Sequence, residues 1–254
     1  MNGKLMIRIF AFVLLNLAGF VQAQTDEENV GRVSAAQVLG GAALVVGYQC
    51  QQYVNLVGNS VAKQAGSNYK WHFGVIKSDA INAFALPGGY ILLSSGLLKN
   101  LESEDDLAFV LAHEVSHVVR KHHYQVVQRQ RLADQASKEL QSIDQDGEIK
   151  KLAQASGQIY ARGLDKSAEF DADRMGVELM TRAGYDPAAA LNVLEKLQRF
   201  KGDDPRAELL FSTHPGPSER MDQLLQAGLD KLPRPTIRVN PTRDIRFKSI
   251  QNLL

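Results

Sequence analysis

Apolar positions are densest between Leu107 and His122, a stretch with the sequence LAFVLAHEVSHVVRKH. They cover nearly every face of a helical projection, which is typical of a helix buried on all sides: Leu107, Phe109, Val110, Leu111, Val115, Val118 and Val119. Acidic residues precede the stretch and basic residues end it, so both ends complement the helix dipole. Ser103 followed by Asp106 predicts a capping box at the N-terminus. The pattern therefore predicts one buried helix here.

Elsewhere the chain alternates between short strand patterns and longer helical ones. Period-two alternation predicts strands at Tyr69–Ile76, Ile81–Leu86 and Tyr90–Ser94, with Pro87–Gly89 as a turn between the last two. Helical spacing predicts helices at Gln49–Ala65, Gln125–Ile159 with a break at Asp144–Gly147, Asp165–Arg182, Ala188–Phe200 and Ser218–Ala227. The predicted fold class is α+β, mostly helical, with a small β-sheet beside the buried helix.

The beginning of the chain has the features of an export signal. Lys4 and Arg8 precede an apolar stretch, Ile9–Val21, that is followed by small residues, so residues 1–23 are predicted to be a cleaved signal peptide. Loss of these two basic residues changes the formal net charge from +1 to −1. No basic patch is present, which argues against nucleic acid as a partner. The single cysteine, Cys50, can form neither an internal disulfide nor a zinc–thiolate site. Export and a near-neutral charge fit a bacterial periplasm.

Three further segments follow the predicted signal peptide. Residues 24–48 form an N-terminal segment with a polar start, Asp26–Arg32, that is expected to be loose. Ala35–Tyr48 is apolar, rich in Gly and Ala and too short to cross a bilayer, so a buried helix is expected, with a membrane-touching or partner-binding segment as the alternative. Residues 49–230 form the main domain. Residues 231–254 are expected to be a tail or a single strand laid on that domain.

The buried helix contains His113-Glu114-Val115-Ser116-His117, an H-E-x-x-H motif, and is called the motif helix below. Residues four apart lie nearly one above the other on a helix, so His113 and His117 can point two imidazoles at one metal ion. Glu114 is rotated away from that face. This suits a general base acting on a water beside the metal rather than a metal ligand. The motif predicts one Zn²⁺ per chain.

A catalytic zinc site usually has three protein ligands, and two sources compete for the third. His123 follows His117 by six residues, but the pattern that would make it a ligand requires Gly where Arg120 stands. His122 and His123 are instead expected to cap the motif helix and to face solvent. The second source is a pair of carboxylates on the helix predicted at Asp165–Arg182.

Glu169 and Asp173 are four residues apart and share one face of that helix, while Asp171 points elsewhere. One of the two carboxylates can bind zinc while the other accepts the free ring N–H of a ligating histidine. Such an acceptor fixes the tautomer of the histidine and strengthens it as a ligand. Spacing alone leaves open which carboxylate has which role.

With these residues the sequence resembles the gluzincin zinc metalloproteases of the CAAX prenyl protease, HtpX and BepA type. The resemblance rests on the motif, on Glu169-Phe170-Asp171-Ala172-Asp173, on the Asn82–Gly89 segment and on Thr213-His214-Pro215. It covers roughly Gln49 to Gln226, most of the chain, and implies a zincin-like metalloprotease domain. It also implies that Glu169 is the third zinc ligand and that Asp173 supports the ligand shell.

The same resemblance implies that a substrate-binding strand lies beside the cleft and that two further residues lie near the metal. The strand contains Asn82, Ala83, Phe84 and Ala85, and the two further residues are His214 and Arg220. His214 is expected to donate a hydrogen bond to the oxyanion. The alternative is that His214 is an ordinary loop histidine. Arg220 is expected to orient that donor or the substrate, and a structural Arg220 is the alternative.

The predicted function is a zinc-dependent endopeptidase that acts on unfolded or misfolded envelope proteins in the periplasm, as protein quality control. Membrane-surface or outer-membrane assembly contacts are compatible with the apolar N-terminal segment, and membrane association stays open. The alternative function is a metal-bound periplasmic chaperone or assembly factor for outer-membrane proteins with little proteolysis. A purely structural zinc site is disfavoured because a closed site does not use the base Glu114.

Overall fold

The structure is a computed structural model that describes residues 25–143, 164–200, 204–214, 216–232 and 241–254. The predicted signal peptide, residues 1–23, and the predicted helix break at Asp144–Gly147 lie outside the described residues. Over the ranges described, none of the helices is both long and apolar enough to cross a membrane.

Helices make up most of the described chain. In chain order they are α1 at residues 25–41, α2 at Tyr48–Ala62, α3 at Ser95–Asn100, α4 at Glu104–Val119, α5 at His122–Ile143, α6 at Lys166–Arg182, α7 at Ala189–Arg199, α8 at Glu208–Thr213, α9 at Pro217–Gln226 and α10 at Pro241–Gln251. The ranges predicted for α2, α6, α7 and α9 agree with the structure to within a few residues. The predicted class, α+β and mostly helical with a small sheet, is confirmed.

The sheet has three strands in the order β1-β3-β2: β1 at His72–Ile76, β2 at Ala83–Leu86 and β3 at Tyr90–Ser94. β1 and β3 are parallel, while β2 and β3 are antiparallel and joined by the short turn Pro87–Gly89. Residues 43–45 pair with the outer edge of β1 through an isolated bridge between Leu44 and Ile76. Among the described residues no strand pairs with the outer edge of β2.

The motif helix α4 lies at the centre of the fold, and every residue from Asp106 to Val118 is buried. Ser103 caps it by accepting a hydrogen bond from the Asp106 backbone N–H at 3.0 Å, as predicted. The carboxylate of Asp106 accepts from the Glu102 backbone N–H instead of closing a reciprocal box. α6 packs closely along α4 at Gly176, where an added Cβ would lie 3.1 Å from the His113 backbone nitrogen. This close approach brings the two predicted ligand-bearing helices together.

The N-terminal segment differs from the prediction in both of its parts. Asp26–Arg32 is helical because it belongs to α1, which docks on the β2–β3 turn through the buried carboxylate of Glu27. Gly31 meets Pro87 there so closely that a Cβ would clash with its carbonyl oxygen. The predicted buried helix at Ala35–Tyr48 is wrong. α1 ends at residue 41, and most of the residues that follow are exposed in an extended segment along β1.

The C-terminal residues also differ from the prediction of a tail or strand. α10 packs against α2 and α4, and its Phe247 is fully buried beside Tyr53 of α2. The sequence pattern gave weak periodicity here because several positions of α10 are charged. Arg246 is an example, because it packs toward the core and forms hydrogen bonds of 2.6 and 2.8 Å with the buried Glu104 carboxylate. A charged residue therefore belongs to the interface.

Candidate metal centre

The two histidines of the motif lie side by side on α4, and both are buried. Their Nε2 atoms are 2.9 Å apart, so both rings turn the same nitrogen toward one point. The helical spacing of four residues produces this arrangement, because it stacks the two side chains on one face. The local geometry agrees with what the sequence predicts for the motif.

Glu169 brings a carboxylate to the same point from the first turn of α6. Asp165 caps this helix by accepting a 2.9 Å hydrogen bond from the Ala168 N–H, which fixes where the first turn begins. Oε1 of Glu169 lies 3.3 Å from His117 Nε2, and Oε2 lies 3.6 Å from His113 Nε2. Ligands about 2.0–2.1 Å from a tetrahedral zinc ion are separated by about 3.3 Å. The three side chains therefore fit one metal ion.

His214 completes a group of four side chains that could hold a metal ion. It is the residue that follows α8, and its Nδ1 lies 2.8 and 2.9 Å from the two carboxylate oxygens of Glu169. One ligand atom from each of His113, His117, Glu169 and His214 lies within 4.8 Å of the others, and all four residues are buried. His214 and Glu169 are 45 residues apart in sequence, so the fold and not local spacing joins them.

Asp173 supports His113 from the next turn of α6. Its Oδ1 lies 2.9 Å from His113 Nδ1, the nitrogen that faces away from the shared point. Arg220 of α9 binds the same carboxylate with two hydrogen bonds, 2.7 Å from Nε and 2.6 Å from Nη2. Burial opposes ionisation of Asp173, but the Arg220 guanidinium outweighs it and the pKa of the carboxyl falls to about 2.

Glu114 is buried next to this group, and its Oε2 has no hydrogen-bond partner among the described residues. Burial raises its pKa above the ordinary value, since the charged form loses hydration. A small cavity of about 30 Å³ is lined by Glu114 together with Ala83, His113, His214 and Arg220. That volume holds about one water molecule. An orphaned buried carboxylate oxygen beside such a cavity fits a site that takes up water or substrate.

A larger cleft of about 300 Å³ opens beside the four-residue group. Its lining includes the segment from Asn82 to Pro87, His123 and Val126 of α5, and Ser34 of α1. His214 lines it as well. Asn82 is buried, and its Oδ1 has no hydrogen-bond partner in the described parts of the chain. Asn82 therefore places an unpaired polar atom next to the start of β2, and all four residues of β2 line the same cleft.

The expectation that His122 and His123 cap the motif helix and face solvent is wrong. The helix ends at Val119, and α5 begins at His122 after a turn at Lys121. His122 Nδ1 lies 3.0 Å from His117 Nδ1, and His123 lines the cleft. The spacing of five residues hides this contact, because it places His122 on another face of a continuous helix. Ser34 was also missed, and no local signal in the sequence marks it.

A buried H-E-x-x-H helix, a glutamate from a second helix and an unpartnered motif glutamate define the class of HExxH metalloproteases. The chain belongs to Peptidase family M48, whose family model matches residues 48–227. The match covers the sheet, the motif helix, α6 and α9. It leaves α1 and α10 outside, although both pack on the matched domain.

Known proteins of this kind are similar to the chain over most of its length. A protein of Yersinia pestis named beta-barrel assembly-enhancing protease is 33% identical over 238 residues, which cover 86% of this chain and 47% of the relative. The protein of the same name from Escherichia coli strain K12 is 32% identical, over 80% of this chain and 44% of the relative. Mitochondrial metalloendopeptidase OMA1 of Schizosaccharomyces pombe is 31% identical, over 68% of this chain and 51% of the relative. The chain spans about half the length of these relatives.

Proposed function

We propose that the chain is a zinc-dependent endopeptidase that cleaves unfolded or misfolded proteins of the bacterial cell envelope. The observation that carries this proposal is the buried group of His113, His117 and Glu169, with the unpartnered Oε2 of Glu114 beside it. Membership of Peptidase family M48 supports peptide hydrolysis as the reaction. Substrate class and location are part of the proposal, because the chain spans only about half of its relatives.

In this proposal His113, His117 and Glu169 hold one zinc ion, and Asp173 keeps the His113 ring in the orientation that binding requires. Arg220 acts on that support, since its two hydrogen bonds hold the Asp173 carboxylate in place. A zinc ion bound there supplies Lewis acidity, which makes a nearby water more acidic and polarises the scissile carbonyl. Arg220 is therefore proposed to position a supporting group.

Glu114 is proposed as the general base. Its free Oε2 takes a proton from the attacking water and later passes the proton to the leaving amine. His214 is proposed as the donor to the oxyanion. In the structure its Nδ1 contacts both carboxylate oxygens of Glu169, so His214 lies beside a residue proposed to hold the ion.

The substrate is proposed to bind as an extended segment along Asn82, Ala83, Phe84 and Ala85. β2 is paired only on its β3 side among the described residues, and its other edge borders the cleft. Pairing through backbone groups tolerates many sequences, because specificity comes only from the pockets for alternate side chains. Such tolerance suits quality control of many proteins. The names of the bacterial relatives refer to β-barrel assembly, which supports the periplasm as the location.

The test is the variant Glu114→Gln, which keeps the shape of the side chain but removes the base. We expect the purified variant to bind one zinc ion per chain and to cleave casein at least about 10³-fold more slowly than the parent. Glu208→Gln, on the exposed side of α8, is the matched control and is expected to cleave at the parent rate. Cleavage by Glu114→Gln at the parent rate contradicts the mechanism.

A chaperone or assembly factor is the second candidate. It is favoured by the exposed apolar side chains of Leu44, Val46 and Tyr48, of which Leu44 pairs with the edge of β1. Complementation of a deletion strain separates the two functions. If Glu114→Gln restores outer-membrane integrity as fully as the parent does, the chaperone function replaces proteolysis as the conclusion.

A further inference from the structure

The two motif histidines have different supports behind their rings. His113 Nδ1 faces a carboxylate oxygen of Asp173 at 2.9 Å. His117 Nδ1 faces another imidazole instead, since His122 Nδ1 lies 3.0 Å away. A histidine that binds a metal through one nitrogen usually donates the N–H of its other nitrogen to an acceptor. The acceptor behind His117 is therefore a neutral ring nitrogen and not an anion.

The backbone between the two helices is what brings His122 to this place. Five residues along a continuous helix turn the side chain by about 140°, which would point His122 away from His117. The chain instead leaves the helix at Lys121, whose φ is 60°, and Lys121 is the one non-glycine residue with positive φ among the described residues. A lysine in this conformation is strained, so other contacts must hold it.

The contact that holds the turn comes from the N-terminal helix α1. Lys121 Nζ forms a 2.8 Å ion pair with Glu27, whose side chain is 1% exposed. Glu27 also accepts a 2.7 Å hydrogen bond from the Tyr69 hydroxyl. This ion pair links the buried carboxylate of α1 to the residue at the turn before α5. The strained turn is thus supported from outside the segment that matches the family.

The hydrogen positions along this chain of rings follow from the first one. With a metal ion on its Nε2, which faces Glu169 and His113, His117 would carry its proton on Nδ1 and would donate it to His122 Nδ1. His122 then carries its own proton on Nε2, which faces Asp171 at 3.8 Å. Asp171 is held by Arg120 at 3.0 Å and by Arg174 at 2.9 Å. Behind His113 there is thus a carboxylate, Asp173, that an arginine binds. Behind His117 the corresponding carboxylate, Asp171, follows after the ring of His122.

We propose that His122 is a positioning residue that fixes the ring orientation and tautomer of His117 and thereby strengthens metal binding. The inference rests on the proposed function in one respect, that His113, His117 and Glu169 bind a metal ion. It assigns a role to a residue that lies beyond the end of the motif helix, at a spacing that the motif itself does not include. Nothing in it requires His122 to touch the substrate or the metal.

The test compares zinc dissociation constants of the full chain by competition with a chromogenic chelator. His122→Phe keeps a ring of similar size but removes the acceptor, and we expect zinc binding weaker by about 10- to 100-fold. His123→Phe is the matched control, because its ring is also 5.2 Å from the His117 ring but forms no hydrogen bond with it. Its zinc affinity is expected to stay within about threefold of the parent.

Two further measurements separate positioning from packing. His122→Asn places an acceptor near the position of Nδ1, and we expect it to recover most of the lost affinity. The Co²⁺-substituted His122→Phe protein should show a shifted visible absorption spectrum, since the geometry around the ion changes. Asp171→Asn changes a partly exposed side chain with little risk to folding, and about threefold weaker binding is expected because its contact with His122 is long.

The outcomes distinguish this inference from the proposed function. If His122→Phe binds zinc as tightly as the parent with an unchanged Co²⁺ spectrum, the positioning role is wrong while the protease function stands. If His122→Phe does not fold, His122→Leu, which also lacks the acceptor, takes its place, and parent-like zinc affinity of His122→Leu overturns the proposal. A parent protein that binds no zinc overturns both. A parent that binds zinc but cleaves nothing overturns only the proposed function.

Discussion

Two buried polar clusters occupy opposite ends of the motif helix, and they differ in whether their charges are satisfied. At the N-terminal end Glu104 accepts hydrogen bonds from Tyr53 at 2.7 Å and from Arg246 at 2.6 and 2.8 Å. Both of its oxygens are thus paired, by residues of α2 and α10. At the other end Glu114 is equally buried, yet its Oε2 has no partner among the described residues.

The difference separates structural from functional burial on one helix. A buried carboxylate without a partner costs free energy of folding, so a fold keeps it only where another role compensates. The Glu104 cluster holds α10 onto α2 and α4, and it needs no further ligand. The group around Glu169 brings three histidines and a carboxylate to one point. Ring nitrogens and carboxylate oxygens that face one another in this way can share only a cation or a proton. Substitutions at the two ends should therefore change different properties.

The largest expected effect comes from Glu169→Gln at the metal end. The amide has no charge to neutralise the ion, so we expect zinc content below about 0.1 per chain after dialysis and casein cleavage reduced by about 10³-fold or more. Glu178→Gln, two turns further along α6 and paired with Arg182 on the exposed face, is the control and should retain zinc. Metal analysis by mass spectrometry measures the content. Full zinc in Glu169→Gln would remove this residue from the ligand set.

The next effect is expected at the opposite end, from Glu104→Gln. It removes the charge that pairs with Arg246 but keeps an acceptor, so we expect the free energy of unfolding to fall by about 2–3 kcal/mol. Arg246 remains 42% exposed and can regain hydration, which keeps the loss below that of a fully buried pair. Urea unfolding of the metal-free protein measures it. Zinc content and the rate of casein cleavage should stay within about twofold of the parent.

The matched comparator is Glu114→Gln, since both changes replace a buried glutamate on the same helix with its amide. We expect its free energy of unfolding not to fall, because no hydrogen bond to Oε2 is lost and a neutral amide costs less to bury than an unpartnered carboxylate. Similar losses of unfolding free energy in Glu104→Gln and Glu114→Gln would contradict the proposed difference between the two ends. Loss of cleavage by Glu104→Gln while it is still folded would contradict it as well.

The sequence predicts those parts of the site that local spacing determines. The rule that residues four apart share a helix face places His113 with His117 and Glu169 with Asp173. In the structure the two histidines are in contact, and both carboxylates face His113. The capping signal at Ser103 likewise depends on a few neighbouring residues. The resemblance to a protease family adds His214 and Arg220, which spacing alone does not connect to the motif. The structure brings these residues together, while their roles stay proposals.

The missed features all depend on contacts between distant parts of the chain. α1 is polar in its first turns, and its Glu27 is buried because Tyr69 and Lys121 bind it. α10 is held by Arg246, which is 142 residues from Glu104. His122 reaches His117 only through the left-handed turn at Lys121. No local pattern contains this information, since a lysine or an arginine is ordinarily solvated.

The smallest expected effect concerns Asp105, which lies next to Glu104 in the first turn of the motif helix. Burial raises the pKa of its carboxyl to about 6, although Arg243 lies 3.6 Å away and opposes the shift. The folded protein therefore keeps this proton up to about pH 6, whereas the unfolded chain releases it near pH 4. Raising the pH through this window favours the unfolded state, so stability is lost as Asp105 ionises.

Asp105→Asn imitates the protonated carboxyl and removes that loss. We expect the metal-free variant to match the parent near pH 4 and to exceed its free energy of unfolding by about 1 kcal/mol near pH 7.5, measured in urea. Asp222→Asn, on the exposed face of α9, is the control and should show no such pH-dependent gain. A gain of the same size at both pH values would assign the effect to packing. Such a result would mean that the ionised Asp105 carboxylate does not destabilise the fold. The N-terminal end of the motif helix would then tolerate an unpaired charge, and the difference from the Glu114 end would be smaller.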